Sequence, residues 1–445
     1  MIKIQFKSKV YLHYQLRSGE RICIKTNSCG LFTGYEWVLN LFVRDFGKTK
    51  GVILMSEKKL LIVIDSLMAG GVARALINMI EEIKSDYCID LLAFSNSGLL
   101  KNQMPPEINT LETNKYLALL GESQEETKKK SLFWGFYRAI LAIWCRLFSN
   151  KLPHRLLFKH YRINQHYDIA ISYVHDHDEH SLARGCNRFV LEKANADKKI
   201  AFVHCDFQRY GGNTRKNKDL YYYFDGVVCV SNGCKEVFEN CLSKKVTTYV
   251  VRNFTNYQDI IGLSMESPKE YETDEISIVS VARLSEEKGF RRALLAYEKT
   301  IVASKKRIHW YIVGDGPDFE EIKTIINQYE MDSYITLLGA TDNPYRIMKN
   351  ADYFMLLSYH ECAPMVFDEA YALGLTIIAT ETISTKEMIE ERGIGYVYPN
   401  TDKSIVSIFE DLLTGKIRKK QYIPLLDNSK SKQQFERVVY GVVQK

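Results

Sequence analysis

The chain has 445 residues, of which 46% are hydrophobic and 26% charged, and its formal net charge is +6. This length predicts two or three domains, the composition is that of an ordinary soluble globular protein, and the mild charge fits either a protein that meets phosphates or an anionic surface, or a slightly basic enzyme. The ten cysteines include no CxxC pair, no stretch reaches the roughly 18 apolar residues of a membrane span, and no basic face or known module favours nucleic-acid binding.

Residues 1–54 differ in pattern from the rest of the chain. Alternating apolar residues predict short strands there, at Ile2, Ile4 and Phe6 and again at Val10, Leu12 and Tyr14. This extension of unknown role is either a small added element or the product of an upstream start assigned in error, since Met55 would be a natural start. The first residues lack an apolar signal core, so we expect a cytoplasmic protein with reduced thiols.

Residues 55–263 alternate strand-like runs with helical patterns. The predicted strands are Leu60–Ile64, Cys88–Phe94, Asp168–Tyr173, Lys199–His204, Gly226–Val230 and Val246–Val251. A βαβ alternation of this kind predicts a Rossmann-like, doubly wound parallel sheet.

A polar, proline-containing linker is expected at residues 264–275, and a second Rossmann-like domain at residues 276–428. Its predicted strands are Ile276–Val281, His309–Val313, Ile335–Leu338, Tyr353–Leu357 and Thr376–Ala379. Residues 429–445 read as a helix that packs back across the hinge. Two such domains create a deep cleft between their strand carboxyl ends, where ligands of open α/β sheets bind.

The first candidate phosphate contact is the pair Gly70-Gly71, where a strand ends and a helix begins. Free N–H groups at a helix start bind anions, and glycine lets a phosphate approach the backbone. A tight strand-to-helix turn without a ligand has the same sequence, so both interpretations stay open.

Arg283 follows a predicted strand, and Lys288 comes five residues later, before the next helix. An arginine fork and a lysine point charge are suited to neutralising the diphosphate of a nucleotide leaving group without a metal. The alternative is a surface pair between Arg283 and Glu286 or Glu287.

A glycine turn, Gly314 to Pro317, follows the strand predicted at His309–Val313. It either walls off a nucleotide base or phosphate, or is a turn with no function.

The most informative stretch runs from Tyr359 to Glu369. Glu361 lies in a loop and Glu369 in the following helix, and Pro364 between them breaks the local geometry. Because a carboxylate can accept hydrogen bonds from two hydroxyls of a ribose or a hexose, the two glutamates can present carboxylates to one ligand at different depths. The alternative is one helix-capping and one solvent-exposed glutamate.

Taken together, these segments resemble the retaining glycosyltransferases of family four (the group one transferases), which have the GT-B fold. The resemblance is carried by Gly70-Gly71, Ser280–Gly289, Tyr311–Pro317, Ser358–Gly374 and Ser384–Ile389, and in the N-terminal half by Ala201–Asp206 and Asp225–Ser231. It covers roughly residues 58–443. The chain departs from the family at Ala73, where many relatives have Glu, and at Cys362-Ala363, where relatives often have Gly-Phe.

The resemblance implies a nucleotide-sugar site without a cofactor or an essential metal. Glu369 would hold the donor ribose, Arg283 and Lys288 would hold the diphosphate, and Gly70-Gly71 would face the phosphates across the cleft.

The resemblance also implies contacts to the transferred sugar. Glu361 would lie against it and His204 would contact one of its hydroxyls, so these two are the candidate catalytic residues. The backbone of the segment that follows Cys362 would touch the sugar and the diphosphate; its residues are Ala363, Pro364, Met365 and Val366.

Two further features are suggestive. The cluster His175 to His180 looks like a metal site, but neighbours on an extended chain point opposite ways, which favours a polar loop that could contact the acceptor. The basic, aromatic stretch 128–159 is either an amphipathic helix that lies on an anionic membrane or a helix of the N-terminal domain with aromatics in its core.

We therefore expect transfer of a hexose or N-acetylhexosamine from a nucleotide sugar, with UDP favoured, to a saccharide or lipid-linked saccharide. Retention of configuration, a role in bacterial cell-surface polysaccharide synthesis and a peripheral position on the inner membrane face are family-level expectations. A sugar-nucleotide epimerase of the same fold and a non-catalytic GT-B partner subunit remain alternatives.

Overall fold

The computed structural model describes residues 10–15, 21–26, 55–56, 58–68, 70–272, 275–304 and 308–441. An antiparallel three-stranded sheet comprises β1 (Val10–Gln15), β2 (Arg21–Thr26) and β3 (Met55–Ser56). The strand predicted around Val10 is thus confirmed, and the one predicted around Ile2 lies outside the described residues.

The N-terminal domain is built on a seven-stranded sheet whose order is β10-β9-β8-β7-β4-β5-β6, with every neighbouring pair parallel. The strands are β4 (Lys59–Ser66), β5 (Cys88–Ser95), β6 (Asn109–Thr110), β7 (His166–Ser172), β8 (Asn195–Val203), β9 (Gly226–Cys229) and β10 (Thr248–Val250). The strand order reverses between β4 and β7, and such a switch point opens a crevice at the carboxyl ends of the strands.

Eight helices of this domain lie within the described residues. They are α1 (Gly71–Ile83), α2 (Lys115–Gly121), α3 (Gln124–Lys130), α4 (Leu132–Leu147), α5 (Lys151–Phe158), α6 (Cys186–Lys193), α7 (Arg215–Tyr221) and α8 (Asn232–Cys241). The next helix, α9 (Tyr257–Ser264), packs against the second domain, because Ile260 is buried in the core of that domain. A short 3-10 helix spans Leu99–Gln103. Helix α1 buries Leu76, Ile80 and Ile83 against the sheet, as its apolar stripe predicts. In the part of the chain that the structure describes, no helix has both the length and the apolar character to cross a bilayer.

The second domain contains a six-stranded parallel sheet of order β13-β12-β11-β14-β15-β16. Its strands are β11 (Ile276–Val281), β12 (Ile308–Val313), β13 (Ile335–Gly339), β14 (Tyr353–Leu356), β15 (Thr376–Thr380) and β16 (Gly395–Tyr398). Its helices are α10 (Phe290–Tyr297), α11 (Phe319–Gln328), α12 (Tyr345–Met348), α13 (Met365–Ala372) and α14 (Asp402–Leu413), with shorter helical turns at Glu286–Lys288, Glu298–Val302 and Lys386–Glu390.

The last helix, α15 (Ser429–Tyr440), returns to the N-terminal domain. Phe435 and Val438 are buried in the N-terminal core, and Lys432 forms a salt bridge to Asp86 at 2.7 Å. The predicted architecture of two parallel-sheet Rossmann-like domains is confirmed. The strands β6 and β16, which are short and lie at the sheet edges, were not predicted from the sequence.

Candidate active site

A cavity of about 940 Å³ lies between the two domains, beyond the carboxyl ends of β4, β7, β8, β11 and β14. The structure brings ten of the predicted site residues to it. They are Gly70, Gly71, His204, Arg283, Lys288, Glu361, Ala363, Pro364, Met365 and Val366. Gly314 and Glu369 are not among the described residues that line this cavity.

The Gly70-Gly71 turn leaves the start of α1 open to the cavity. Gly70 is extended, with φ 173°, and its carbonyl accepts a hydrogen bond from the Arg74 N–H at 3.0 Å. A Cβ added at either glycine would meet no atom within 4 Å. Since the fold itself does not require glycine here, the open backbone favours a ligand-binding turn over one that is only sterically tight.

Arg283 is 69% exposed and is paired with Glu287, to which its Nη2 donates at 2.8 Å. Ser285 Oγ donates to the same carboxylate oxygen at 2.7 Å. Burial raises the pKa of Glu287, but these two hydrogen bonds outweigh it and hold that pKa at about 2. The surface pair given as the alternative for Arg283 therefore exists, with Glu287, and the guanidinium sits at the cavity edge.

Lys288 and Glu361 form a second ion pair deeper in the cavity. Lys288 Nζ lies 2.6 Å from Glu361 Oε1, and Ser358 Oγ donates to the same oxygen at 2.7 Å. The Lys288 and Glu361 side chains are only 19% and 10% exposed. Glu361, which was predicted to face the sugar, thus forms an ion pair with Lys288, which was predicted to face the diphosphate.

The loop from Tyr359 to Pro364 is held by both domains. Ser231 Oγ donates to the Cys362 carbonyl and Asn253 Nδ2 to the Ala363 carbonyl, both at 3.1 Å. The Cys362 side chain packs in the N-terminal core. The loop therefore contacts the opposite domain at Cys362.

Glu369 lies on α13, where the Tyr345 hydroxyl donates to its carboxylate. Burial raises its pKa to about 7, against the opposing influence of Arg74, which follows the Gly70-Gly71 turn of the other domain. Glu369 is therefore neither a helix cap nor a solvent-exposed glutamate, because it meets groups from both domains.

His204 follows β8 and lines the cavity. Burial lowers its pKa to about 3, so the imidazole is neutral at physiological pH. Its Nε2 is buried and has no hydrogen-bond partner among the described residues.

Gly314 has a structural reason to be glycine. Its φ is +144°, and an added Cβ would lie 1.9 Å from the Ala282 carbonyl oxygen. The turn packs backbone against backbone next to the strand end that carries Arg283, so its support for the site is indirect.

The loop His175 to His180 divides its side chains between different surroundings. His175 lines the interdomain cavity, Asp176 accepts from the Gly185 N–H at 2.9 Å, and His177 Nε2 meets the Tyr210 hydroxyl at 3.2 Å. No group of three or more potential metal ligands is present in the described part of the chain.

Several cavity residues were not predicted as site residues. Arg184, Arg209 and Tyr210 line the cavity, and Arg209 Nη1 contacts His360 Nδ1 of the other domain at 2.8 Å. Arg184 stands before Gly185, a weak sequence signal for an unusual backbone. For Arg209 and Tyr210, only their closeness to His204 in the sequence gave a hint.

Comparison with known proteins finds a family model and relatives that match parts of the chain, and solved structures with a similar fold. Residues 264–424 match the family model described as glycosyl transferases group 1. The gpi3 subunit of phosphatidylinositol N-acetylglucosaminyltransferase from Schizosaccharomyces pombe is 25% identical over 264 residues, which are 56% of this chain and 55% of the relative. The putative colanic acid biosynthesis glycosyltransferase WcaL of Salmonella typhimurium is 28% identical over 135 residues, 28% of this chain and 33% of the relative.

The chain thus spans only a third to about half of the length of these curated relatives. Among solved structures, Anabaena HepE in complex with UDP-glucose has a TM-score of 0.55 at 15% identity, covering 86% of this chain and 97% of HepE, a likeness that shows the fold. Residues 264–424 thus match the model of the group 1 glycosyl transferases, and the likeness to HepE shows a GT-B-type fold of two domains.

Proposed function

We propose that the protein transfers a hexose or N-acetylhexosamine from a UDP-sugar to a saccharide or lipid-linked saccharide, with retention of configuration and without an essential metal. The observation that carries this proposal is the convergence of Arg283, Lys288, Glu361 and the open Gly70-Gly71 turn on one interdomain cavity. The structure of HepE with UDP-glucose, a protein of the same fold, supports UDP as the nucleotide.

In this proposal the donor lies along the C-terminal wall. Glu369, which lies on α13 one turn beyond the lining residues Met365 and Val366, accepts the ribose hydroxyls. The diphosphate displaces Glu287 from Arg283 and approaches Lys288. The N-termini of α1 and α13 add their free N–H groups. These positive groups stabilise the charge that grows on the leaving diphosphate.

The transfer step needs no protein nucleophile. The acceptor hydroxyl attacks the anomeric carbon while the bond from that carbon to the diphosphate oxygen breaks, and the departing oxygen takes the hydroxyl proton. Glu361 orients the sugar and supports positive charge at the reacting carbon, and His204 contacts a sugar hydroxyl. Closure of the two domains excludes the water that would otherwise hydrolyse the donor.

We also propose that the N-terminal domain contacts a membrane through α4 and α5. Exposed apolar side chains cover one side of these helices: Leu132, Phe133, Phe136, Ile140, Ile143, Trp144, Leu147, Phe148, Leu152 and Leu156. Lys129 and Lys130 are each paired with a glutamate, at 2.8 and 2.6 Å. Apolar area therefore contributes more than charge to this contact. A position at the inner membrane face would bring the site close to a lipid-linked acceptor, as in bacterial surface-polysaccharide assembly.

A donor panel tests the enzymatic proposal. UDP-, GDP- and ADP-sugars are compared by thermal shift and by donor hydrolysis, with wild type, Glu369→Ala and Arg283→Ala. We expect UDP-sugars to stabilise the wild type and both variants to lose turnover while their Tm without ligand stays close to that of the wild type. Arg291→Ala is the matched control, because Arg291 is exposed and pairs with Glu321 at 3.6 Å away from the cavity.

Full activity in both site variants would contradict this site. An epimerised nucleotide sugar formed from donor alone would instead identify an epimerase. No turnover of any donor, alone or with saccharide acceptors, would favour the partner-subunit alternative.

A further inference from the structure

The N-terminal wall of the cavity contains a buried imidazole whose tautomer is set by its surroundings. His175 is 3% exposed, and its Nδ1 lies 3.4 Å from the backbone N–H of His204, which donates to it. Because Nδ1 accepts, the ring proton of the neutral imidazole is on Nε2. That Nε2 is buried, and no described residue accepts a hydrogen bond from it. Leaving a buried donor unsatisfied costs about 1–3 kcal/mol, so a ligand that accepts from His175 is favoured.

His204 presents the complementary atom. Its ring donates to the Tyr173 backbone, so the unpartnered Nε2 carries a lone pair and can accept from a hydroxyl. Burial, with Arg184 as a further cause, lowers the pKa of both imidazoles, that of His175 to well below its usual value. Both rings are therefore neutral, one as a donor and the other as an acceptor.

Arg184 supplies the positive charge of this wall and is held rigidly. Its backbone is left-handed, with φ 70°, and its Nη1 donates to the His175 carbonyl at 2.9 Å. Its guanidinium carbon lies 5.3 Å from the centre of the Tyr210 ring. A non-glycine residue in this backbone region carries strain, which the surrounding contacts must hold.

The carboxylates near Arg184 already accept hydrogen bonds from backbone N–H groups. Asp65 is 3.5 Å from the Arg184 Nε and accepts from the Ser66 N–H at 2.8 Å. Asp176, which interacts electrostatically with Arg184, accepts from the Gly185 N–H at 2.9 Å. The Arg184 guanidinium therefore keeps donor capacity for a ligand, next to the free donor of His175.

We propose that Arg184 and His175 bind an anionic substituent, a phosphate or a carboxylate, on the acceptor sugar, next to His204 Nε2, which accepts a hydrogen bond from a hydroxyl of the transferred sugar. This rests on the proposed function and names the acceptor class for its site. Arg184 and His175 are then specificity-determining residues, because a neutral sugar cannot offer the negative charge that the guanidinium binds.

Calorimetric titration of the full chain, saturated with UDP to occupy the donor site, tests the proposal with glucose 6-phosphate, glucuronate and glucose as probes. We expect at least one anionic sugar to bind at least tenfold more tightly than glucose, and the two anionic probes separate phosphate from carboxylate recognition. In Arg184→Asn, chosen because Asn accepts the left-handed backbone, this preference should disappear while UDP affinity changes less than twofold.

His175 gives an independent pair of variants. His175→Gln keeps an N–H donor near the Nε2 position and should retain most of the preference, whereas His175→Leu should lose it. Arg209→Gln is the matched control, since Arg209 lines the same wall but is 59% exposed. The preference of the Arg209→Gln variant for anionic sugars over glucose should stay within threefold of that of the wild type.

Equal affinities for glucose and both anionic sugars in the wild type would overturn the proposal. So would loss of the preference in Arg209→Gln with its retention in Arg184→Asn. If UDP does not bind, the proposed donor site fails, and the same titration without nucleotide still measures the Arg184-dependent preference, so the two failures are distinguished.

Discussion

The two domains share a parallel-sheet architecture but face the cavity with different chemistry. The C-terminal wall carries full charges already paired with each other, Arg283 with Glu287 and Lys288 with Glu361. The N-terminal wall carries Arg184 and two neutral imidazoles, His175 and His204, whose Nε2 atoms have no hydrogen-bond partner among the described residues. An ion-paired side chain can exchange its partner for the diphosphate of an arriving nucleotide sugar. A fixed neutral imidazole instead selects a ligand by whether that ligand donates or accepts the hydrogen bond.

The outer surfaces differ as well. The N-terminal domain concentrates exposed apolar side chains on α4 and α5. The C-terminal domain has scattered ones, such as Tyr329 and Leu338, and one short run at Ile423, Leu425 and Leu426. In the proposed function, one domain binds the donor mainly by charge and the other recognises the acceptor and its surroundings.

The largest expected effect separates the two walls. Lys288→Ala should lower the rate of transfer about 100- to 1,000-fold, since it removes a cation from the leaving diphosphate and leaves Glu361 uncompensated. His204→Ala should cost only about threefold to tenfold, the value of one neutral hydrogen bond. Single-turnover kinetics with a UDP-sugar measures both.

The double variant Lys288→Ala/Glu361→Gln checks the ion pair itself. If the pair acts as a unit, the fold decrease in transfer rate of the double variant should be smaller than the product of the fold decreases of Lys288→Ala and Glu361→Gln. A His204→Ala defect as large as that of Lys288→Ala would break the proposed division of labour.

The membrane proposal sharpens the comparison of the outer surfaces. Phe136 is 69% exposed on α4, and Phe136→Ser should weaken binding to vesicles about 30-fold, because about 2 kcal/mol of apolar burial is lost. Flotation with neutral and with anionic vesicles measures it, and the ion-paired lysines predict a weak dependence on salt.

Leu338→Ser is the matched control on the C-terminal domain and should float like the wild type. Failure of the wild-type protein to bind either vesicle at low salt would refute membrane contact by α4.

The smallest effect is a pH dependence at Glu369. Its pKa is raised to about 7 by burial, so the carboxyl is largely neutral at pH 5.5 and largely ionised at pH 8. UDP-glucose, whose diphosphate does not titrate in this range, should bind several-fold more tightly at pH 8, because a carboxylate is the better acceptor for ribose hydroxyls.

Stability should change in the opposite direction. A raised native pKa stabilises the fold below the unfolded value near 4.5, and this contribution is lost as pH rises through about 7. Glu369→Gln should flatten both profiles, measured by calorimetry and by urea unfolding, and a pH-dependent affinity retained in Glu369→Gln would assign the titration to another group.

The strands and the C-terminal motif were readable from sequence because their signals are local. Apolar runs such as Leu60–Ile64 and Ile276–Val281 fall within observed strands, and Arg283 and Lys288 share one strand-to-helix connection. The edge strand β6 (Asn109–Thr110) has no such run. The run of β16 is only three residues long, Tyr396 to Tyr398, and both strands were missed.

Residues separated widely in the chain were not readable in this way. The sequence by itself determined two parallel α/β domains and a charged loop set, since periodicity and short spacing act within one element. Only the tertiary structure decided that Lys288 pairs with Glu361, that the charge of Arg74 acts on Glu369, and that His175 keeps its proton on Nε2. Those outcomes depend on burial and on side-chain direction across domains, and both are set by packing.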